Sequence, residues 1–341
     1  MSSRAVSKFA LPAKSLQTRG RPRTASTARV IPHVPKQRSY GGISSSIDKQ
    51  RIDSNTPQRS QPSISERLPD PHKARYRLRE FELADRVFIV TGGGGGLGLT
   101  IAEALVEAGG QVYCLDRKDC PGPEFVDVQE RLAPVYGGAL RYRRIDVRNA
   151  DMVEEAFSGI ASKHGRLDGM VAAAGIQDVK RAVDFRPHEI DRILEVNFRG
   201  VYASAVSCAR QMIRYEVPGS VLLVASMSGM VANRGFTTSV YNASKAAVVQ
   251  LSRSLAMEWG QVVHGKPIRV NALCPGNIVT PMVEKNFKDQ PGLREAWESQ
   301  NMLGRISDAR EYRGAALFAL SDASSFMTGS SLVIDGGYTA W

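Results

Sequence analysis

The chain is poor in cysteine, has no long apolar run and begins without acid. Its four cysteines, Cys114, Cys120, Cys208 and Cys274, form no CxxC and no His/Cys set at metal-ligand spacing. That argues against a disulfide scaffold and against a structural metal site, and fits a reducing compartment. No segment approaches the roughly 18 consecutive apolar residues of a spanning helix, which excludes a helical membrane span. The first acid is Asp48, whereas nine bases precede it: Arg4, Lys8, Lys14, Arg19, Arg21, Arg23, Arg29, Lys36 and Arg38. The whole chain of 341 residues carries 45 Lys+Arg against 34 Asp+Glu, a net +11, which taken alone suggests nucleic acid or an anionic membrane. Without those nine bases the balance is 36 against 34, so the excess belongs to the beginning of the chain and a nucleic-acid partner loses its support.

Residues 1–75 are rich in Ser, Arg, Pro and Gln and show no sustained apolar period. Such a segment cannot bury enough apolar surface to offset its chain entropy and is expected to be disordered. Arg-rich, Ser-rich and acid-poor composition is that of an organelle transit peptide, and Arg38-Ser39-Tyr40 resembles the Arg-x-Tyr site after which mitochondrial presequences are cut. The expectation is a mitochondrial leader; an uncleaved flexible tail on a cytoplasmic protein is the alternative.

From about residue 80 to 341 the pattern changes to alternating buried strands and helices. Arg86-Val87-Phe88-Ile89-Val90 is an almost continuous apolar run, as in a parallel strand covered on both faces. It runs into Thr91 and the glycines Gly92 to Gly96, then Leu97 and Gly98, and a helical pattern that Gly109 ends. A glycine-rich turn between a buried strand and a helix N-terminus allows close backbone approach to a phosphate. A second strand, Gln111 to Leu115, ends at Asp116, placed to accept both ribose hydroxyls of a dinucleotide. A carboxylate there repels a 2′-phosphate, so NAD is favoured over NADP; Arg117 reads as an exposed loop charge. Further strands lead to Asp146-Val147 and to Ala174-Gly175. The pattern predicts one α/β domain, a doubly wound parallel sheet of Rossmann type, with ligands at the carboxyl ends of its strands.

In the second half, Tyr241 and Lys245 stand at i and i+4 on one helix face. Alone, that spacing is a common surface pair. Upstream, however, the strand Val221 to Ala225 ends in Ser226-Met227-Ser228-Gly229, and Asn197 lies in a polar break of an apolar helical pattern. Downstream, Arg269 to Cys274 leads into Pro275, Gly276, Ile278 and Thr280. In order and spacing, these motifs from Thr91 to Asp335-Gly336-Gly337 resemble the short-chain dehydrogenases/reductases over about residues 81–341.

The resemblance implies NAD(P)-dependent interconversion of a secondary alcohol and a ketone. It makes Tyr241 the acid/base, Lys245 the cation beside it and a ribose contact, and Asn197 the support of a water-linked proton path. A free phenol titrates near ~10, so it needs that neighbouring cation to act as a base at neutral pH. Pro275, Gly276, Ile278 and Thr280 would hold the nicotinamide end; Gly92, Gly96, Leu97, Gly98, Asp116, Asp146, Val147, Ala174 and Gly175 would hold the remainder. Ser226, at the strand end, is taken as the catalytic serine and Ser228 as a substrate contact, although Ser228 has the family's commoner separation from tyrosine. Residues 172–175 read Ala-Ala-Ala-Gly where the family often has Asn-Asn-Ala-Gly, which affects adenine-side contacts only.

The serine and tyrosine segments look most like fungal polyol and ketose reductases of the arabinitol, mannitol or sorbose type. The alternatives are an NADPH-dependent reductase of a 3-oxoacyl or secondary-metabolite ketone, and a non-catalytic dinucleotide-binding scaffold. The family also suggests a homodimer or homotetramer. Residues 281–302, with Met282, Val283, Phe287, Leu293 and Trp297 among polar Glu284, Lys285, Asn286 and Lys288, are expected to lid the substrate.

Overall fold

The computed structural model describes residues 78–132, 137–280, 283–284, 287–288 and 291–341. The leader reading of residues 1–75, and Pro281, Met282, Lys285 and Asn286 of the expected lid, lie outside them.

Seven parallel strands form the central sheet: β1 (Val87–Thr91), β2 (Gln111–Asp116), β3 (Ala139–Arg144), β4 (Gly169–Ala172), β5 (Ser220–Val224), β6 (Arg269–Pro275) and β9 (Ser331–Ile334), in the order β3-β2-β1-β4-β5-β6-β9. Two short strands, β7 (Ile278–Val279) and β8 (Ser307–Asp308), pair separately. The order reverses between β1 and β4, the switch point where such sheets bind ligands.

The apolar runs are explained by helices on both faces. From β1, Val87 and Ile89 point into one core with Met170, Val221, Leu223 and Val270. That core is covered by α3 (Ala150–His164), α5 (Val201–Arg214) and α6 (Ser239–Trp259). Phe88 and Val90 point the other way, with Val112, Val171, Leu222 and Leu273, under α1 (Gly96–Glu107), α2 (Pro123–Leu132) and α8 (Arg313–Leu320). The inner strands β1, β2, β4, β5 and β6 therefore each serve two cores.

Helix ends follow local chemistry. Asn149 caps α3 by accepting from the amides of Asp151 and Met152, and Gly165 ends it at φ 65°. A buried arginine fixes the base of β6. Arg269 donates to the carbonyls of Ala319, Ser321 and Met327 and to Ser324 Oγ, and burial lowers its pKa to about 10. Among the described residues, no helix is long and apolar enough to cross a membrane.

The polar break around Asn197 has a structural form that its sequence does not disclose. Helix α4 (Pro187–Leu194) passes into a π-helical turn, Glu195–Gly200, before α5 begins. A widened turn of this kind redirects side chains and is frequent at functional sites. Here it turns the Asn197 side chain inward, fully buried.

Candidate active site

The carboxyl ends of β1, β4, β5 and β6 open onto a cleft of about 270 Å³. Leu97, Ala173, Gly175, Ser226, Ser228, Tyr241, Lys245, Pro275, Gly276, Ile278 and Thr280 all line it.

On the cofactor side, the glycines are required by contact. A side chain on Gly98 would overlap the Gly92 carbonyl, and one on Gly92 (φ 69°) would come within 2.7 Å of the Ala174 amide nitrogen. The loop thus brings the first turn of α1, whose leading N–H groups have no helical partner, up to the switch point. Asp116 ends β2 and its Oδ2 accepts the Gly94 N–H at 3.1 Å, which fixes the carboxylate beside the loop. These residues fit a dinucleotide: a bare backbone cradle for phosphate, and a placed acid for ribose.

Not every expected residue reaches the cleft. Asp146 follows β3 and pairs with Arg148 at 2.6 Å; that bond holds its carboxyl below the ordinary carboxylate range. Val147 is buried against Gly200 of the π turn. Both remain on the same edge of the sheet, since the Ile145 N–H bonds the Asp116 carbonyl at 2.8 Å.

On the catalytic side, α6 carries Tyr241 and Lys245 on one face. The Lys245 ammonium lies 5.6 Å from the Tyr241 ring centre and donates to the Val224 carbonyl at 2.8 Å. Burial lowers the Lys245 pKa to about 8. Burial raises that of Tyr241, and a hydrogen bond with the Ser226 side chain partly offsets this. Ser226, just past β5, also accepts the Ser228 N–H at 3.1 Å, opening the tight turn Met227–Gly229. A side chain on Gly229 would come within 2.7 Å of the Lys245 carbonyl carbon, so this turn packs directly on α6.

Asn197 acts as a clamp. Its Oδ1 accepts the Ile176 N–H at 2.8 Å, and its Nδ2 donates to the Ile176 carbonyl at 2.9 Å and to Ser244 Oγ at 3.0 Å. Ser244 in turn donates to the Tyr241 carbonyl at 2.7 Å. The backbone after β4 is thereby tied to the helix of Tyr241. A Cβ on Gly175 would stand 3.5 Å from both Asn197 Oδ1 and Lys245 Nζ, in the corner between them.

The outer wall brings residues that the sequence reading did not select: Ile176, Gln177, Asn233, Phe236 and Asn277. Phe236 meets Trp297 of α7 (Leu293–Ser299) edge-on at 5.3 Å, and Phe287 meets the same indole at 5.5 Å. Trp297 and Val283, both of the expected lid, line the cleft. The length of the loop between Ser228 and Tyr241 was the one available signal for Asn233 and Phe236.

Comparison with known proteins agrees with this geometry. The family model described as enoyl-(acyl carrier protein) reductase matches residues 93–339. A short-chain dehydrogenase/reductase, notP′, of Aspergillus versicolor is 40% identical over 262 residues, covering 76% of this chain and 89% of that protein. The ribulose-forming D-arabinitol 2-dehydrogenase of Scheffersomyces stipitis is 34% identical over 271 residues, covering 76% and 96%. The NADP-dependent mannitol dehydrogenase of Hypocrea jecorina is 33% identical over 275 residues, covering 80% and 99%. Among solved structures, a short-chain type dehydrogenase/reductase from Mycobacterium marinum superposes with TM-score 0.71 at 35% identity, covering 77% of this chain and 99% of that one. A gluconate 5-dehydrogenase from Burkholderia cenocepacia, in complex with NADP and tartrate, gives TM-score 0.70 at 30% identity, covering 78% and 100%.

A parallel sheet with a glycine cradle and a tyrosine–lysine pair at one switch point defines a nicotinamide-dependent oxidoreductase of the Rossmann type. The chain belongs to the short-chain dehydrogenase/reductase family. It is an oxidoreductase that interconverts an alcohol and a ketone with NAD(P).

Proposed function

We propose that this enzyme oxidises a polyol to the corresponding ketose, and reduces it back, with NAD. The observation that carries the reading is that one cleft is lined both by Leu97, on the first turn above the glycine cradle, and by Ser226, Tyr241 and Lys245. The dinucleotide-binding end and the proton-transferring group therefore share one small volume.

In this reading each residue of the cleft has a role. When bound, a nicotinamide supplies or accepts the hydride at the carbinol carbon. The glycine cradle and Asp116 would hold its phosphates and ribose, and Ile278 and Thr280 its carboxamide end. Ser226 Oγ and Tyr241 Oη grip the substrate oxygen from adjoining positions. In oxidation, Tyr241 Oη takes the hydroxyl proton; in reduction, it returns one. The Lys245 ammonium stabilises the phenolate across the ring, and Asn197 keeps the Ile176 backbone and α6 in register while that charge forms. Ser228 touches the substrate from the next position along the turn.

NAD is supported by Asp116, which is fixed by Gly94 and makes no ion pair among the described residues, so its charge opposes a 2′-phosphate. Arg117 is exposed and its charge acts on Asp146. Relatives that use NADP make this the point to measure first. A polyol is supported by the amides of Gln177, Asn233 and Asn277 in the cleft wall, together with the arabinitol and mannitol relatives. The competing reading, an NADPH-dependent reductase of an acyl ketone, draws on Phe236, Trp297 and Val283 in the same wall.

A panel of polyols, ketoses and 3-oxoacyl substrates, each assayed with NAD(H) and NADP(H), separates the two. Polyol oxidation with NAD is expected, abolished by Tyr241→Phe; turnover of acyl ketones alone, with NADPH, would replace the reading. We propose further that the protein assembles as a homodimer or homotetramer and that its basic leader directs it to mitochondria. Light scattering of the purified protein, and N-terminal sequencing from its own cells, test these two points.

A further inference from the structure

The outer wall of the cleft contains one amide whose environment is built for a ligand. We propose that Asn233 recognises a hydroxyl group of the substrate next to the reacting carbon, donating to it from Nδ2. This rests on the polyol reading and names the group that distinguishes a polyol from a simple secondary alcohol.

Hydrogen-bond direction fixes which end of this amide is free. Asn242, one residue after Tyr241 on α6, donates from Nδ2 to Asn233 Oδ1 at 3.0 Å and to the Val231 carbonyl at 3.4 Å. Its own Oδ1 accepts from Thr238 Oγ1 at 2.8 Å. A backbone carbonyl can only accept, so the nitrogen of Asn242 must face Val231 and its oxygen must face Thr238. The same constraint turns Asn233: it presents its oxygen to Asn242, and its NH₂ has no acceptor in the protein among the described residues. Asn233 lines the cleft that holds Ser226 and Tyr241.

The loop that carries this donor is fixed from three sides. The relay through Asn242 and Thr238 ties it to the catalytic helix. The Arg234 N–H donates to Tyr338 Oη at 2.8 Å, and Phe236 packs edge-on against Trp297. An amide whose oxygen is spent and whose loop is anchored loses little freedom when its nitrogen finds an acceptor. A site built to bond a substrate hydroxyl also discriminates against an analogue that lacks it, because the site's polar group is then left unpaired. Asn233 sets substrate choice; it takes no part in proton transfer.

The test compares a pentitol, D-arabinitol, with cyclopentanol, a monohydric secondary alcohol of the same carbon number, using the full-length enzyme and NAD. Asn233→Ala is expected to raise KM for the pentitol about tenfold, with kcat within about twofold, and to leave both constants for cyclopentanol unchanged. Asn233→Gln, which keeps the amide but displaces it, is expected to give the same split at smaller size. NAD affinity of both variants should match the wild type, and the melting temperature of Asn233→Ala should fall only by the few degrees that loss of its hydrogen bond from Asn242 implies. An equal loss on the two alcohols would make Asn233 a purely structural loop residue and overturn the assignment, as would an unchanged KM for the pentitol. A wild type that oxidises cyclopentanol but no polyol would sink the polyol reading itself, and the assignment with it.

Discussion

Lys245→Met removes the cation beside Tyr241, the proposed acid/base, while keeping a side chain of similar length. The ammonium lies 5.6 Å from the Tyr241 ring centre; Lys245 is buried and Tyr241 half-buried. At an effective dielectric of about 20, unit charges at that separation attract by about 3 kcal/mol, worth roughly a hundredfold in the phenolate available at neutral pH. Alcohol oxidation at saturating cofactor should therefore fall about a hundredfold at pH 7. The pH profile gives the more demanding test. Burial lowers the Lys245 pKa from 10.5 to about 8, so its charge is complete well below pH 8 and is lost as pH rises through that value. The ratio of wild-type to variant rates should be largest below pH 8 and shrink above it. Cofactor affinity, measured separately by fluorescence titration, keeps any ribose contact out of the comparison. A ratio that stays constant from pH 6 to 10 would refute the electrostatic role and leave Lys245 a binding residue only.

Ser226→Ala should lower kcat by about a hundredfold or more, whereas Ser228→Ala should act mainly on KM; steady-state kinetics giving the opposite order would exchange their roles. Asp116→Ser removes the charge that opposes a 2′-phosphate and should move the NAD/NADP ratio of kcat/KM toward NADP by about tenfold, read from parallel titrations. Arg269→Met leaves the carbonyls of Ala319, Ser321 and Met327 without their shared donor, at a cost of about 3–5 kcal/mol. The melting temperature should drop by roughly 10 °C, and a drop of only a degree or two would show that water replaces the guanidinium.

Much of the fold was legible because burial on both faces of a parallel sheet leaves unbroken apolar runs, and β1, β2, β4 and β5 carry them; β6 is interrupted by Asn271, whose side chain is satisfied by the Met327 carbonyl and the Ser330 N–H. Tyr241 and Lys245 were legible because a helix places i and i+4 together. The π turn at Glu195–Gly200 was not, since a change in hydrogen-bond spacing leaves no mark beyond the polar residues it exposes or hides. The Arg148 partner of Asp146 was missed because an ion pair two residues apart depends on how the loop turns. The relay from Thr238 through Asn242 to Asn233 joins a loop to a helix by side-chain direction alone, which no local pattern encodes.

The sheet that divides the two cores also divides the labour of the site. The glycine cradle and α1 rest on the core of Phe88, Val90 and Leu105, whereas α6 and the helical turn of Asn197 rest on that of Ile89, Val201 and Val248. Substitutions buried on opposite faces share no side-chain contacts, so their effects should add. Cofactor preference and proton chemistry can then drift, or be engineered, as separate inheritable modules joined along one edge of backbone.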